Sequence, residues 1–134
     1  WTIMAAPLML GCDIRNISPQ SLAVLSNPEL LAVNQDAWGT QGSLVDLGNG
    51  AQIFVKPLSD GTFAVALWNL ANQTAAVRIS WNLALAPLNF PSMAVRDLWK
   101  RRDLGDYAGS YSANVPGHGV ALIKATPKRS VELV

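Results

Sequence analysis

The hydrophobic rhythm of the chain changes near Gly39. Ahead of it, Ala6 to Leu10 is continuously apolar with no alternation, the pattern of a strand buried on both faces in a parallel sheet. Gly11-Cys12-Asp13-Ile14-Arg15 then turns polar, where such a strand would emerge at its C-terminal end. Ser18-Pro19 has the chemistry of a helix start: the Ser18 hydroxyl can accept from free amides of the first turn, and Pro19 has no amide to satisfy. Leu22, Ala23 and Leu25 follow at helical spacing. Asn27-Pro28-Glu29 repeats the signal with Leu30, Leu31 and Val33 behind it, so two short consecutive helices are predicted. Strand, turn and helix make one βα unit, and one unit cannot close a sheet. Its partners are expected elsewhere.

From Gly42 onward the pattern is one of short strands between Gly, Pro, Asn and Asp. Gln52–Lys56, the nearly continuous apolar Thr62–Trp68, Met93–Trp99, Tyr111–Val115 and Val120–Thr126 are predicted strands. Ala75, Val77, Ile79 and Trp81 alternate with Ala76, Arg78, Ser80 and Asn82, the period of a half-buried strand. Breaks at Ser59-Asp60-Gly61, Ala71-Asn72-Gln73 and Pro116-Gly117-His118-Gly119 have the composition of hairpin connections. Six short strands at this spacing suggest an antiparallel β-sandwich. Residues 128–134 carry no clear signal and are expected to be a loose tail.

Composition narrows the function classes. The 134 residues are half hydrophobic and 14% charged, which suits an ordered domain. A net charge of +1 gives no reason to expect nucleic acid or an acidic membrane surface as a partner, and Lys100-Arg101-Arg102 suits a solvated turn. No apolar run approaches the roughly 18 residues of a membrane span. Cys12 stands alone, so an internal disulfide and a thiolate metal site are excluded, and its apolar neighbourhood suggests a buried inert thiol. The chain opens on Trp-Thr-Ile-Met-Ala-Ala, which looks like the interior of a longer protein. Asn16-Ile17-Ser18 and Asn72-Gln73-Thr74 are N-glycosylation acceptors, Asn72 the better candidate because it falls in a turn.

Candidate chemistry is sparse. His118 lies between two glycines, with no orienting acid or nucleophile identifiable by spacing, and suits a turn. No phosphate loop or metal-ligand spacing occurs, so neither cofactor nor metal is expected. The carboxylates are Asp13, Glu29, Asp36, Asp46, Asp60, Asp97, Asp103, Asp106 and Glu132. Asp60 suits a turn, Glu29 a helix first turn, and Asp103 and Asp106 a polar loop. Asp13 follows the predicted buried strand at the end where barrel active sites form; a loop-anchoring role is preferred for it. Trp68, Trp81 and Trp99 could make a sugar-stacking face but fit core packing better.

Met4-Ala5-Ala6-Pro7-Leu8, Gly11-Cys12-Asp13-Ile14-Arg15, Ser18-Pro19, Leu25-Ser26-Asn27, Ala32-Val33-Asn34-Gln35-Asp36, Gly39 and Gln41-Gly42 together closely resemble the α-galactosidases (melibiases) of glycoside hydrolase family twenty-seven. Ala66-Leu67-Trp68-Asn69, Val95-Arg96-Asp97-Leu98-Trp99 and Gly119-Val120-Ala121-Leu122 are similar to that family's C-terminal domain. Ala37-Trp38 departs from the Pro-Leu of many members. The resemblance implies a mainly β chain: an antiparallel β-sandwich of Greek-key type over residues 42–127, preceded in residues 1–38 by the last βα unit of a (β/α)8 barrel. It implies hydrolysis of terminal, non-reducing α-linked galactose with retention, by two aspartates on earlier barrel strands that have no counterpart here. No catalytic residue is assigned; Cys12 and Asp13 are candidates for the active-site rim. The galactoside would bind through the rest of the barrel, and a secreted or vacuolar/lysosomal setting is expected. The alternative is a stand-alone β-sandwich module for carbohydrate binding or protein interaction.

Overall fold

The computed structural model describes residues 1–46, 50–86 and 88–128. The two helices form where their start signals stand. Helix α1, Pro19–Leu25, is capped by Ser18, whose Oγ accepts from the Ser21 amide at 3.1 Å. Helix α2, Pro28–Asn34, is capped by Asn27, whose Oδ1 accepts from Glu29 at 3.0 Å and Leu30 at 3.4 Å. A short 3-10 turn at Thr2–Met4 precedes them. Ala6–Leu10 forms no strand and lies open, with Leu8 41% and Leu10 52% exposed. A strand buried on both faces needs a hydrogen-bonding neighbour along its edges, and no described strand pairs with it.

Among the described residues eight strands follow: β1 Ser43–Asp46, β2 Ala51–Pro57, β3 Phe63–Asn69, β4 Ala75–Ser80, β5 Ser92–Asp97, β6 Arg102–Ala108, β7 Ser110–Val115 and β8 Val120–Lys128. All described pairings are antiparallel. Six strands make one sheet in the order β1-β2-β3-β8-β5-β6, and β4 with β7 makes a second. The predicted sandwich is present, with unequal layers. Two of the three predicted hairpins are something else. Only Ser59-Asp60-Gly61 joins neighbours in one sheet; Ala71-Asn72-Gln73 and Pro116-Gly117-His118-Gly119 carry the chain between sheets.

The main core lies between the layers. Ile53, Val55, Val65, Leu67, Met93, Val95, Ile123 and Ala125 from the large sheet meet Val77, Ile79, Tyr111 and Val115 from the small one. Trp81 is wholly buried among them, although it opens the short helix α3, Trp81–Ala84, rather than ending β4. Its indole N–H donates to the Tyr107 carbonyl at 2.9 Å, which satisfies the one polar atom of the ring.

The large sheet also has a second, outer core. Ile3, Leu30 and Val33 cover Ala64, Ala66 and Leu122, with Leu58 and Leu98 beside them. Strand β3 therefore contributes Phe63, Val65 and Leu67 to one core and Ala64 and Ala66 to the other. That is why its sequence is nearly continuously apolar while β4, covered on one face only, alternates. Leu30 and Val33, on the helix that would flank a barrel, are 6% and 3% exposed because they pack on the sandwich.

Two strands lack a clear sequence signal. β1 is a four-residue edge strand. β6 is the opposite edge, and its charged sequence, which reads as a loop, is how edge strands avoid further pairing. A bulge between Val95 and Arg96 leaves Leu104 without an opposite residue, beside Gly105 at φ 107°. Of the segment 128–134 expected to be loose, Lys128 ends β8 opposite Ser92, and the rest lies outside the described residues.

Candidate functional site

The two rim candidates sit on the open N-terminal segment. Cys12 is exposed, not buried, because the apolar run preceding it has nothing to pack against. Asp13 anchors its own loop: its carboxylate accepts from the Arg15 amide at 3.0 Å and from Arg15 Nε and Nη2, each at 2.9 Å. These hydrogen bonds hold the Asp13 carboxyl below its ordinary range. The pair is local and solvent-facing, with no second carboxylate among the contacts of Asp13.

A charged cleft of about 580 Å³ opens on the outer face of β8, β5 and β6, lined by Asp60, Arg96, Asp103, Asp106 and Lys124. Three of its lining side chains are carboxylates, and each is occupied. Asp60 accepts from Lys124 Nζ at 2.7 Å and from both the amide and the hydroxyl of Thr62. Burial pushes its carboxyl up, but these bonds outweigh it and hold the group at about 2. A glycosidic general acid needs the opposite shift, toward a proton retained near neutrality. Asp103 is paired with Arg96 at 2.9 Å and Asp106 with Lys128 at 3.0 Å. The charges are structural.

Arg96 is the centre of several of these contacts. Its guanidinium meets Glu29 through Nε at 2.8 Å and Nη2 at 2.7 Å, and Nη2 also reaches the Arg101 carbonyl at 2.8 Å. The hydrogen bonds from Arg96 hold Glu29 below its ordinary carboxylate range. Helix α2 is thereby pinned to β5 and β6, and Asn27 adds a bond to the Leu98 carbonyl at 2.9 Å. These partners lie 67 and 71 positions apart, and no spacing rule in the sequence brings them together.

The tryptophans divide. Trp81 is core, whereas Trp68 and Trp99 are 36% and 43% exposed and line a groove of about 630 Å³ with Trp1, Met4, Phe54 and Leu122. Trp99 spends its indole N–H on the Val120 carbonyl at 3.1 Å. A sugar subsite pairs an aromatic face with polar groups for the hydroxyls; apart from Thr2, side chains lining this groove are aliphatic or aromatic. It has the character of a packing surface.

The two sheet-crossing corners meet around Asn69, which is 1% exposed. Its Nδ2 donates to the carbonyls of Gln73 at 2.8 Å and Val115 at 2.9 Å, and its Oδ1 accepts from the Ala71 amide at 2.9 Å. A Cβ on Gly117 would stand 2.3 Å from the Asn72 carbonyl oxygen, so the close approach requires glycine there. His118, at φ 58°, sits over the junction with Nε2 2.9 Å from Asn72 Oδ1. Its role is in the turn. Asn72 and Asn16 are both exposed. Among the described residues no cluster of His, Cys, Asp or Glu could hold a metal ion, and no helix is long and apolar enough to cross a membrane.

Comparison with known proteins brings the two halves of the chain to one source. Residues 48–125 match the family described as the alpha galactosidase C-terminal beta sandwich domain, and residues 1–36 match the family described as alpha galactosidase A. Alpha-galactosidase 3 of Arabidopsis thaliana is 38% identical over 133 residues, covering 96% of this chain and 30% of the relative. The crystal structure of α-galactosidase I from Mortierella vinacea superimposes with a TM-score of 0.89 at 31% identity, over 97% of this chain and 34% of that one. A β-L-arabinopyranosidase of family twenty-seven from Geobacillus stearothermophilus gives 0.87 at 27% identity, over 99% of this chain and 29% of that one. The chain spans about a third of the length of the curated relatives it matches.

Proposed function

The chain belongs to the α-galactosidase C-terminal β-sandwich family, and from that premise we propose that it is the C-terminal portion of an enzyme that hydrolyses terminal, non-reducing α-linked galactose. One observation carries the reading. The segment before the sandwich matches a second family, the one described as alpha galactosidase A, and it is the segment whose apolar strand pattern finds no partner among the described residues. A barrel upstream would supply both the neighbours for Ala6–Leu10 and the chemistry.

That chemistry requires two carboxyl groups about the scissile bond, roughly 5–5.5 Å apart for a retaining enzyme, one as nucleophile and one as acid and base. Asp13, Glu29, Asp36, Asp60, Asp97, Asp103 and Asp106 are committed to arginine, lysine, hydroxyl or amide partners. The role of the chain is then to complete the barrel, with Cys12 and Asp13 near the rim, and to brace it with the sandwich. Exposure of the Asn16 and Asn72 acceptors is compatible with a glycosylated protein in a secretory or vacuolar/lysosomal compartment.

The test is release of the chromophore from an aryl α-galactoside. Residues 1–134 alone are expected to give no signal above a mock preparation, and a longer protein carrying the upstream barrel is expected to be active. Hydrolysis by residues 1–134 that disappears in Asp13→Asn would place the chemistry in this chain and refute the assignment. An inactive longer protein would refute the activity itself.

A further inference from the structure

The N-terminal segment is attached to the sandwich at few points. The Ile3 side chain is buried in the outer core, and its carbonyl accepts from the Gly42 amide at 2.7 Å. The Ala6 carbonyl accepts from Asn34 Nδ2 at 2.8 Å. From Pro7 to Asn16 every residue is exposed, and the described hydrogen bonds there are local to Asp13, Arg15 and Asn16. Ala6 is therefore the last described tether before Cys12 and Asp13.

Asn34 is buried and is the last residue of α2. The same end of α2 is held from the sandwich by Lys56 of β2, whose side chain is fully enclosed with Nζ 2.6 Å from the Val33 carbonyl. An ammonium in that setting is stable only where its charge is answered. The Val33 carbonyl, at the C-terminal end of α2, does this, and Asp36 lies just beyond, with its carboxylate on the Ser59 amide and hydroxyl. Burial still lowers the Lys56 ammonium from its ordinary value, against the attraction of Asp36.

We infer that Lys56 and Asn34 are positioning residues that let the sandwich set where the Cys12–Asp13 segment leaves it: β2 fixes the end of α2 through Lys56 and Val33, and α2 fixes Ala6 through Asn34. The consequence for catalysis rests on the function proposed above. The linkage itself does not.

Backbone amide exchange on residues 1–134 tests the linkage. In Asn34→Ala and Lys56→Met, the Met4, Ala5 and Gly42 amides are expected to exchange about tenfold faster, while Val65 and Leu67 in β3 keep their protection. Lys56→Arg, which can reach the same carbonyl with a cation, is expected to restore the slow rate. Unchanged exchange at Met4, Ala5 and Gly42 in Asn34→Ala overturns the inference, and this variant decides the matter if Lys56→Met fails to fold. In the longer enzyme, Asn34→Ala is expected to lower kcat about tenfold with KM nearly unchanged, since small displacements far from the reacting atoms are costly. Full kcat per folded molecule would overturn the catalytic consequence. An inactive wild-type enzyme would instead remove the proposed function, and exchange would still judge the linkage.

Discussion

Replacing Asn69 with alanine should be among the most damaging single changes available in the sandwich. The side chain closes both sheet-crossing corners at once, with two good donor contacts, at 2.8 and 2.9 Å, and one accepted bond at 2.9 Å. Alanine removes all three. The Val115 carbonyl is the buried partner, and leaving it unpaired costs about 1–3 kcal/mol. The Gln73 carbonyl and the Ala71 amide are nearer solvent and can recruit water, so each loses about 0.5–1 kcal/mol. The sum is about 2–5 kcal/mol, a large part of the roughly 5–15 kcal/mol that holds a domain folded. Asn72→Ala is the control: it loses only the exposed contact with His118 and should cost less than about 0.5 kcal/mol. Urea unfolding of the two variants beside the wild type measures both, provided the slope with denaturant is the same. An Asn69→Ala chain within about 1 kcal/mol of wild type at equal slope would refute the claim that this amide joins the corners.

Acid should remove the Asp60–Lys124 contribution. The folded carboxyl stands at about 2 against an ordinary 3.8, so its stabilisation is complete above about pH 4 and disappears as pH falls toward 2. Because the Asp60 side chain is half exposed, solvent screening reduces the effect to about 1 kcal/mol; Asp60→Asn should flatten the loss, and an unchanged acid profile would contradict it. Leu8, Met9, Leu10, Leu22 and Leu25 are each at least 40% exposed, and α1 buries none of its residues. Residues 1–134 alone should therefore bind a hydrophobic dye and associate at about micromolar concentration; a monomer with no dye signal in sedimentation and fluorescence would contradict this.

The helices and most strands were legible because their causes are local. Ser18-Pro19 and Asn27-Pro28 combine a cap with a residue lacking an amide, and both helices begin there. Alternation from Ala75 to Ile79 and the apolar run in β3 each report how many faces are covered. β6 stayed hidden because an edge strand is polar by necessity and a bulge at Gly105 breaks its period. Crossing corners looked like hairpins because the same turn residues serve both, and which sheet the next strand joins is decided by packing. Ala6–Leu10 failed in the opposite way. Its pattern specifies a strand, but a strand also needs neighbours, and a sequence pattern cannot supply them. The rim candidates inherit that limit: Cys12 lies on the surface and Asp13 turns to Arg15. The contacts of Lys56, Arg96 and Asn69 could not be read from spacing, because each has a partner 23 to 67 positions away.

The double covering of β3 bears on how such proteins can be taken apart. An engineer cutting by strand content would begin at Gly42 and keep every strand of both sheets. That cut discards Ile3, Leu30 and Val33, which roof Ala64, Ala66 and Leu122, and it turns a sheet face now at most 5% exposed at those three positions into wettable apolar surface. It also strands the Lys56 ammonium without the carbonyl it reaches. The smallest piece able to stand by itself is therefore three layers deep, and its third layer is borrowed from the sequence that precedes the first strand. A module transplanted into another enzyme would have to travel with that roof, or bring a host surface shaped to replace it.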